Sequence, residues 1–169
     1  HFLWTSETDG FNHIYLYNMN GTLENQITKG DWEVTNFYGL DEKNGLIYYQ
    51  AAEASPLERQ IYSISLKGKK KELLTRQSGT NRAQFSSTFD YFVNNHSTIN
   101  SPASYVVRDN QGKTVRVIEN NATLAKVQEA YDVNPVEFFQ FETSEKVQLN
   151  GWMIKPTNFN PNRQYPVFM

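Results

Sequence analysis

Three residues near the start of the chain, Ser6, Asp9 and His13, carry the side-chain types of a hydrolase triad within eight positions. In such a triad the histidine takes the proton of the serine hydroxyl, and the aspartate orients the histidine. These residues fall in a predicted hairpin turn, which offers the serine neither a strained elbow nor oxyanion donors from a helix N-terminus. We expect turn and edge hydrogen bonding, and we predict no catalytic residue here.

Two acidic pairs could in principle supply general acid and base catalysis. They are Glu7 with Asp9, and Glu53 with Glu58. One member of such a pair needs an apolar setting that raises its pKa. Because both pairs lie in predicted loops, we expect them to be solvated charges.

The histidines do not form a metal-binding pattern. Only His1, His13 and His96 occur, they are widely spaced, and the chain has no cysteine. Zinc sites need several such ligands at short spacings, and thiolate sites and disulfides need cysteine. We predict no metal and no cofactor, and we expect His13 to be a structural hydrogen-bonding residue.

Other polar and aromatic groups also have a structural explanation. The lysines around Gly68, from Lys67 to Lys71, could bind an anion, but at a hairpin tip such residues keep strand edges soluble. Trp32 and Trp152 are expected to be packing aromatics rather than ligand platforms. Three glycosylation sequons begin at Asn20, Asn95 and Asn121, which matter only in a host that glycosylates, since turns favour asparagine for backbone reasons.

Composition favours a mainly β protein. Aromatic residues make up 14% of the 169 residues, and long helical patterns are scarce. A formal charge of -2 argues against nucleic acid as a partner. The chain begins at His1 in a predicted strand, and Tyr165 to Met169 has the pattern of a buried strand that is only beginning. We therefore expect a piece of a longer polypeptide.

The elements that position these residues repeat along the chain. Asp9-Gly10 predicts the turn of a hairpin between residues 2–6 and 13–18. Gly21 and Gly68 are 47 residues apart, and Gly68 and Gly112 are 44 apart, which is the length of one four-stranded propeller blade. The predicted strands are residues 2–6, 13–18 and 23–28, then 46–51, 60–66 and 71–75, then 91–95, 104–108 and 114–119.

Residues 34–40 and 82–88 are the predicted innermost strands of the second and third blades, and the first blade has no such strand. The fold class is therefore a partial β-propeller of about three four-stranded blades, the first incomplete. Blades bury both faces against their neighbours, so we expect further blades or a second copy to cover the two end faces.

The pattern changes after Glu119. Residues 122–131 are predicted to form a helix, followed by strands at 137–143 and 148–155. We place a domain boundary near Asp132 to Pro135, with the blades in residues 1–132 and a second domain from residue 133 to 169.

Three local motifs carry a family resemblance: W-T-S-E-T-D-G-F-N-H-I-Y-L-Y from Trp4, T-K-G-D-W-E-V from Thr28, and L-N-G-W-M-I-K-P through Y-P-V from Leu149. In this order they resemble the dipeptidyl peptidase IV-like serine peptidases of the prolyl oligopeptidase clan. The resemblance implies that residues 133–169 are the first strands of an α/β-hydrolase domain. It also implies a parent exopeptidase that removes N-terminal dipeptides with penultimate Pro or Ala, with a propeller that gates and shapes substrate access.

The resemblance supplies no catalytic residue to this chain. The sequence has no G-x-S-x-G motif, so the catalytic Ser, Asp and His are absent and the chain alone is expected to be inactive. The implied partners are the peptide substrate, the remaining blades and the hydrolase domain, with a possible homodimer. The implied location is periplasmic, secreted or membrane-anchored on the exterior. The alternatives are a non-catalytic propeller that binds a protein or glycan, or the propeller of an acylaminoacyl peptidase or oligopeptidase.

Overall fold

The computed structural model describes residues 1–131 and 134–168. Strands dominate this part of the chain, as the composition predicts. They are β1 (Phe2–Ser6), β2 (His13–Tyr17), β3 (Leu23–Gln26), β4 (Val34–Asp41), β5 (Leu46–Ala51), β6 (Gln60–Ser65), β7 (Glu72–Leu73), β8 (Thr80–Phe85), β9 (Tyr91–Thr98), β10 (Ser101–Asp109), β11 (Thr114–Glu119), β12 (Val136–Glu142) and β13 (Gln148–Ile154), with one helix, α1 (Ala122–Glu129).

The first eleven strands form three antiparallel sheets in chain order. The first sheet is β1-β2-β3, the second β4-β5-β6-β7, and the third β8-β9-β10-β11. Each sheet is a meander, with hairpin pairs such as Tyr49 opposite Tyr62 in β5 and β6. The partial propeller is confirmed, including a first blade that lacks its innermost strand in the described residues.

Several blade strands begin or end a few residues away from the predicted bounds, among them β9 and β10, which cover Tyr91–Thr98 and Ser101–Asp109. The innermost strand of the third sheet ends at Phe85, not at Thr88, because a turn follows in which the Phe89 N–H donates to the Ser86 carbonyl at 3.0 Å. Phe89 has a φ of 58°, which a continuing strand could not accommodate. The outermost strand of the second sheet covers only Glu72–Leu73, where residues 71–75 were predicted.

The core lies between the sheets, and β5 shows why. Its alternating residues Ile47, Tyr49 and Ala51 belong to a cluster shared with residues of β2 and β4. Tyr48, which points to the other face, packs with Phe92 of the third sheet. A strand buried on both faces reads as a continuous apolar run, which is the pattern of this segment.

The chain divides into two compact units. The first contains His1–Thr98 and Ala103–Asn121, and the second contains Ile99–Pro102 and the described residues from Ala122 onward. In the second unit β12 pairs with β13, with Phe138 opposite Trp152. The Asn100 side chain donates to the Val136 carbonyl at 2.9 Å and accepts from its N–H at 2.8 Å. The predicted boundary between residues 132 and 133 lies outside the described residues and stays a prediction.

Two expectations for the end of the chain need correction. The helix ends at Glu129, since Ala130 and Tyr131 make only i to i-3 turn bonds of 3.1 Å. The segment from Tyr165 to Phe168 is not a strand, and Phe168 is fully exposed. A strand needs a neighbour for its backbone groups, and the described residues offer this segment none; Met169 lies outside them. No helix in the described part is long and apolar enough to cross a bilayer.

Candidate functional site

Ser6 and His13 are cross-strand partners in the hairpin of β1 and β2, but they do not form a catalytic pair. The Ser6 hydroxyl shares a hydrogen bond of 2.5 Å with the Thr8 hydroxyl. Asp9 accepts a bond of 2.5 Å from the Gln26 amide. Both ring nitrogens of His13 bond to other groups, so the imidazole has no lone pair free to take a proton from Ser6.

His13 is fully buried at the start of β2, where its ring bridges two segments. Its Nε2 lies 3.0 Å from the Gly30 carbonyl, and its Nδ1 lies 3.1 Å from the Thr28 hydroxyl. A carbonyl can only accept, so Nε2 carries the proton and Nδ1 accepts from Thr28. The Thr28 oxygen in turn accepts from the Ile14 N–H at 2.9 Å. Every group is satisfied when the imidazole is neutral.

The same arrangement recurs 47 residues later with a carboxamide in place of the imidazole. Gln60 accepts from the Thr75 hydroxyl at 2.7 Å and donates to the Gln77 carbonyl at 2.9 Å. Thr75 accepts from the Ile61 N–H at 2.9 Å. We call His13, Thr28 and Gly30, and likewise Gln60, Thr75 and Gln77, a blade clasp. Each clasp joins the strand next to the outermost one, β2 or β6, to the segment that leads to the next blade.

The acidic pair Glu53 and Glu58 is divided between different partners. Glu58 accepts from the Gln60 amide at 3.0 Å. Glu53 forms an ion pair with Lys71, whose ammonium lies 5.6 Å from the centre of the Trp32 ring and 6.0 Å from that of Tyr62. Lys71 therefore differs from a freely solvated lysine of a hairpin tip, because it covers aromatic rings.

Burial dominates the electrostatics around this ion pair. Desolvation, with Glu53 nearby, raises the pKa of Tyr62 to about 12, and the same causes raise the pKa of Tyr49. The Tyr49 hydroxyl and one oxygen of Glu53 are buried without a hydrogen-bond partner in the described residues. A tyrosine held neutral in this way cannot serve as a base at neutral pH.

Trp32 packs as the sequence predicts. Its ring stacks on Tyr49 with centroids 6.5 Å apart and meets the His13 ring edge-on at 4.9 Å. The Gly30 backbone lies so close to Trp32 that a Cβ added at Gly30 would overlap the indole ring. Trp152 is 62% exposed in the second unit, so its packing role stays a prediction.

The histidines are separated, each with its own partner. His1 lies 2.8 Å from a Glu24 oxygen, and His96 lies 2.8 Å from the Ser78 carbonyl. Across residues 1–131 and 134–168, no group of three or more His, Asp or Glu residues is placed to hold a metal.

The sequon asparagines serve the backbone in two of three cases. The Asn20 side chain accepts from the Thr22 N–H at 3.0 Å, and the Asn121 side chain donates to the Ala103 carbonyl. Asn95 lies inside β9, opposite Arg82. The arrangement accounts for these residues by turn and strand geometry.

The polar groups that the sequence analysis selected thus belong to the blade framework. Sequence reasoning missed the roles of Thr28 and Thr75. The signal for them was present, since a threonine follows the clasp residue by 15 positions in both blades.

Comparisons with known proteins agree with this framework. The sequence profile of the family "Dipeptidyl peptidase IV (DPP IV) N-terminal region" matches residues 1–103. Dipeptidyl peptidase 4 of Arthroderma otae is 32% identical over 166 residues, covering 96% of this chain and 21% of the relative. The Trichophyton rubrum protein of the same name gives the same identity and coverage.

A solved structure has a higher sequence identity to this chain than these two relatives. The crystal structure of Porphyromonas gingivalis dipeptidyl peptidase 4 superposes with a TM-score of 0.91 and 42% identity, covering 98% of this chain and 23% of that one. The chain thus spans about a fifth of the length of the relatives it matches. With a profile match over more than half of its residues and three consecutive blade-like sheets, the chain belongs to the dipeptidyl peptidase IV N-terminal region family.

Proposed function

We propose that this chain is part of a dipeptidyl peptidase IV-like exopeptidase that removes N-terminal dipeptides with penultimate Pro or Ala. In this proposal the chain supplies the last blades of the propeller and the first strands of the hydrolase domain. The observation that carries it is the match of 98% of the chain to one dipeptidyl peptidase 4 structure, which extends beyond the family profile that ends at residue 103.

The proposed role of the blades is geometric. They form part of a wall that encloses the active site and admits only unfolded N-terminal segments of a peptide substrate. The clasps support this role, because they fix each blade to the segment that begins the next one. Rigid coupling between blades is what an enclosing wall requires.

Exposed apolar groups support the proposed partners. Trp4 on β1 is 61% exposed, and in the second unit Phe138 and Trp152 are 51% and 62% exposed. At roughly 25 cal/mol per Å² of apolar area, covering such side chains stabilises a protein appreciably. We propose that the remaining blades cover the first sheet, and that the rest of the hydrolase domain covers the hairpin of β12 and β13. A homodimer is a further proposed partner, and an exterior location is proposed from the family resemblance.

The resemblance implies that the catalytic residues lie outside this chain. Ser6 has an aspartate and a histidine close by in the sequence, and in the described residues both are engaged by other groups. We therefore assign the nucleophile and its partners to other parts of the intact protein.

The test compares the intact protein that contains this chain with the 169-residue chain alone. We expect release of p-nitroaniline from Gly-Pro-p-nitroanilide by the intact protein, and none by the chain. Lack of turnover by the intact protein, with Ala-Pro and Gly-Pro substrates alike, would contradict the peptidase proposal. Turnover by the isolated chain would contradict the assignment of catalysis to other regions.

A further inference from the structure

A polar crevice opens between the second and third sheets, near the turns that follow β6 and β10. It measures about 610 Å³, and its lining includes Tyr48, Ser63 and Glu72 of the second sheet and Gln111 of the third. A crevice of about 630 Å³ lies at the equivalent place between the first and second sheets. Leu16 lines the crevice between the first and second sheets, and Ser63 lines the crevice between the second and third. The two residues are 47 positions apart and so hold the same place in the repeat.

The two crevices differ in chemistry, although they share a place in the repeat. The first is lined by Leu3, Leu16, Leu40 and Leu66 beside polar residues at its rim such as Glu24 and Lys67. The second has a single leucine, Leu46, and hydroxyls, amides and charges at its other positions. Packing of one blade on the next does not require this polarity, since the leucine version performs the same packing.

Tyr48 is one of the residues that line the polar crevice, and its hydroxyl is the feature that points to a ligand. Its ring is fully buried and fixed between Phe85, with centroids 4.6 Å apart, and Phe89, stacked at 5.2 Å. Its hydroxyl is buried, yet it has no hydrogen-bond partner in the described part of the chain. Leaving such a donor unpaired costs stability, so a polar group on a ligand would gain by meeting it.

The state of this hydroxyl is well defined. Burial, together with Asp41, Asp90 and Glu72, raises the pKa of Tyr48 to about 12, so the hydroxyl stays protonated at neutral pH and can donate. Asp41 is engaged by the Asn44 amide at 2.6 Å. Asp90 accepts from the Thr88 hydroxyl at 2.7 Å. Of the three carboxylates, Glu72 is the one that lines the crevice.

Lysines outnumber carboxylates in the lining of the crevice, while the charges of Asp41 and Asp90 also act on Tyr48. The lining includes Lys67, Lys69 and Lys70 against the single carboxylate of Glu72. None of the three lysines forms an ion pair with a residue of the described ranges. Ammonium groups beside a protonated, unpaired hydroxyl favour a ligand that is both anionic and rich in acceptors.

We propose that this crevice binds a small ligand that carries an oxyanion, a phosphate or a carboxylate. The Tyr48 hydroxyl donates to one oxygen of the ligand, and the lysines neutralise its charge. The proposal does not depend on the peptidase function, because the crevice lies within the blades and uses none of the groups assigned to catalysis.

The test measures binding of inorganic phosphate, and separately of acetate, to the intact protein by isothermal titration calorimetry. The key variant is Tyr48→Phe, which removes the hydroxyl and keeps the ring. A hydrogen bond to a charged group is strong enough that its loss should weaken binding roughly tenfold. Because the hydroxyl has no partner to lose, the variant should melt at or above the temperature of the parent.

Matched variants separate the site from general effects. Tyr49→Phe removes another buried, unpaired hydroxyl outside this crevice, and it should leave binding unchanged. Replacing Lys67, Lys69 and Lys70 by Gln should weaken binding more than replacing Lys29, Lys126 and Lys146. Failure of both anions to bind at millimolar concentration, or equal affinity in the parent and Tyr48→Phe, would overturn the proposal. If Tyr48→Phe did not fold, equal effects of the two lysine triplets would overturn it.

Discussion

The blade clasp makes His13 and Gln60 equivalent, which predicts that His13→Gln is tolerated where His13→Leu is not. Glutamine offers an acceptor and a donor at the end of its side chain, as Gln60 does toward Thr75 and Gln77. Leucine offers neither. Both replacements lose the edge contact between the imidazole and Trp32, so this contact cancels when the two variants are compared.

The difference in stability between His13→Leu and His13→Gln follows from the two hydrogen bonds of the His13 ring. In His13→Leu the Thr28 hydroxyl loses its acceptor and the Gly30 carbonyl loses its donor. A buried polar group left unpaired costs about 1–3 kcal/mol. The Gly30 bond is only partly buried, so we expect His13→Leu to be about 2–4 kcal/mol less stable than His13→Gln. Relative to the parent, His13→Gln should lose about 0.5–1.5 kcal/mol, the value of an aromatic pair.

The assay is urea unfolding of the intact protein and its two variants, followed by tryptophan fluorescence, since Trp32 touches the clasp. The reciprocal variant Gln60→His serves as a control and should retain most of the stability of its clasp. Equal loss of stability in His13→Gln and His13→Leu would refute the reasoning, because hydrogen bonding would then contribute nothing at this position. If a variant also changed the slope of the unfolding free energy against urea concentration, its unfolding would no longer be two-state. The shift in midpoint could then not be assigned to a local effect.

The remaining predictions concern a turn and the tyrosines. Gly112→Ala should destabilise the protein more than Gly21→Ala: the φ angles are 82° and 83°, but only at Gly112 would the added Cβ overlap a backbone group, the Leu74 carbonyl. Thermal melts of both variants measure the difference, and equal melting temperatures would contradict it. The pKa values of Tyr48 and Tyr62 are raised from 10.0 to about 12. The unfolded chain therefore loses these protons first as the pH rises, and the free energy of unfolding should fall between about pH 10 and pH 12. Urea unfolding at a series of pH values measures it, and a free energy of unfolding that stayed constant from about pH 10 to pH 12 would contradict this expectation.

Much of the blade framework was predictable because a blade repeats and its turns need glycine. The strand Leu46–Ala51 and the strand Thr114–Glu119 match their predicted bounds. The apolar run of the first indicates burial on both faces, which the two core clusters confirm. The structural role predicted for His13 also agrees with its buried hydrogen bonds.

Other features depend on partners that a local pattern does not contain. Thr28 hydrogen-bonds to His13, which lies 15 positions earlier in the sequence. The hydrophobic periodicity of a strand, two residues, or of a helix, 3.6 residues, cannot predict a contact over that separation. Lys71 belongs to a lysine-rich run in sequence but lies over aromatic rings in space. The segment from Tyr165 to Phe168 has the composition of a strand, but composition cannot supply the neighbouring strand that its backbone requires.

We infer that the three sheets are consecutive blades of a peptidase propeller. A structure of the intact protein, determined by crystallography or electron cryomicroscopy, is the sharpest test of this inference. We predict a closed ring in which another strand of the same polypeptide pairs with the edge of β1 that faces away from β2 and completes the first blade. A ring that left β1 as an unpaired edge, or a structure in which the second and third sheets were not successive blades about one axis, would contradict it.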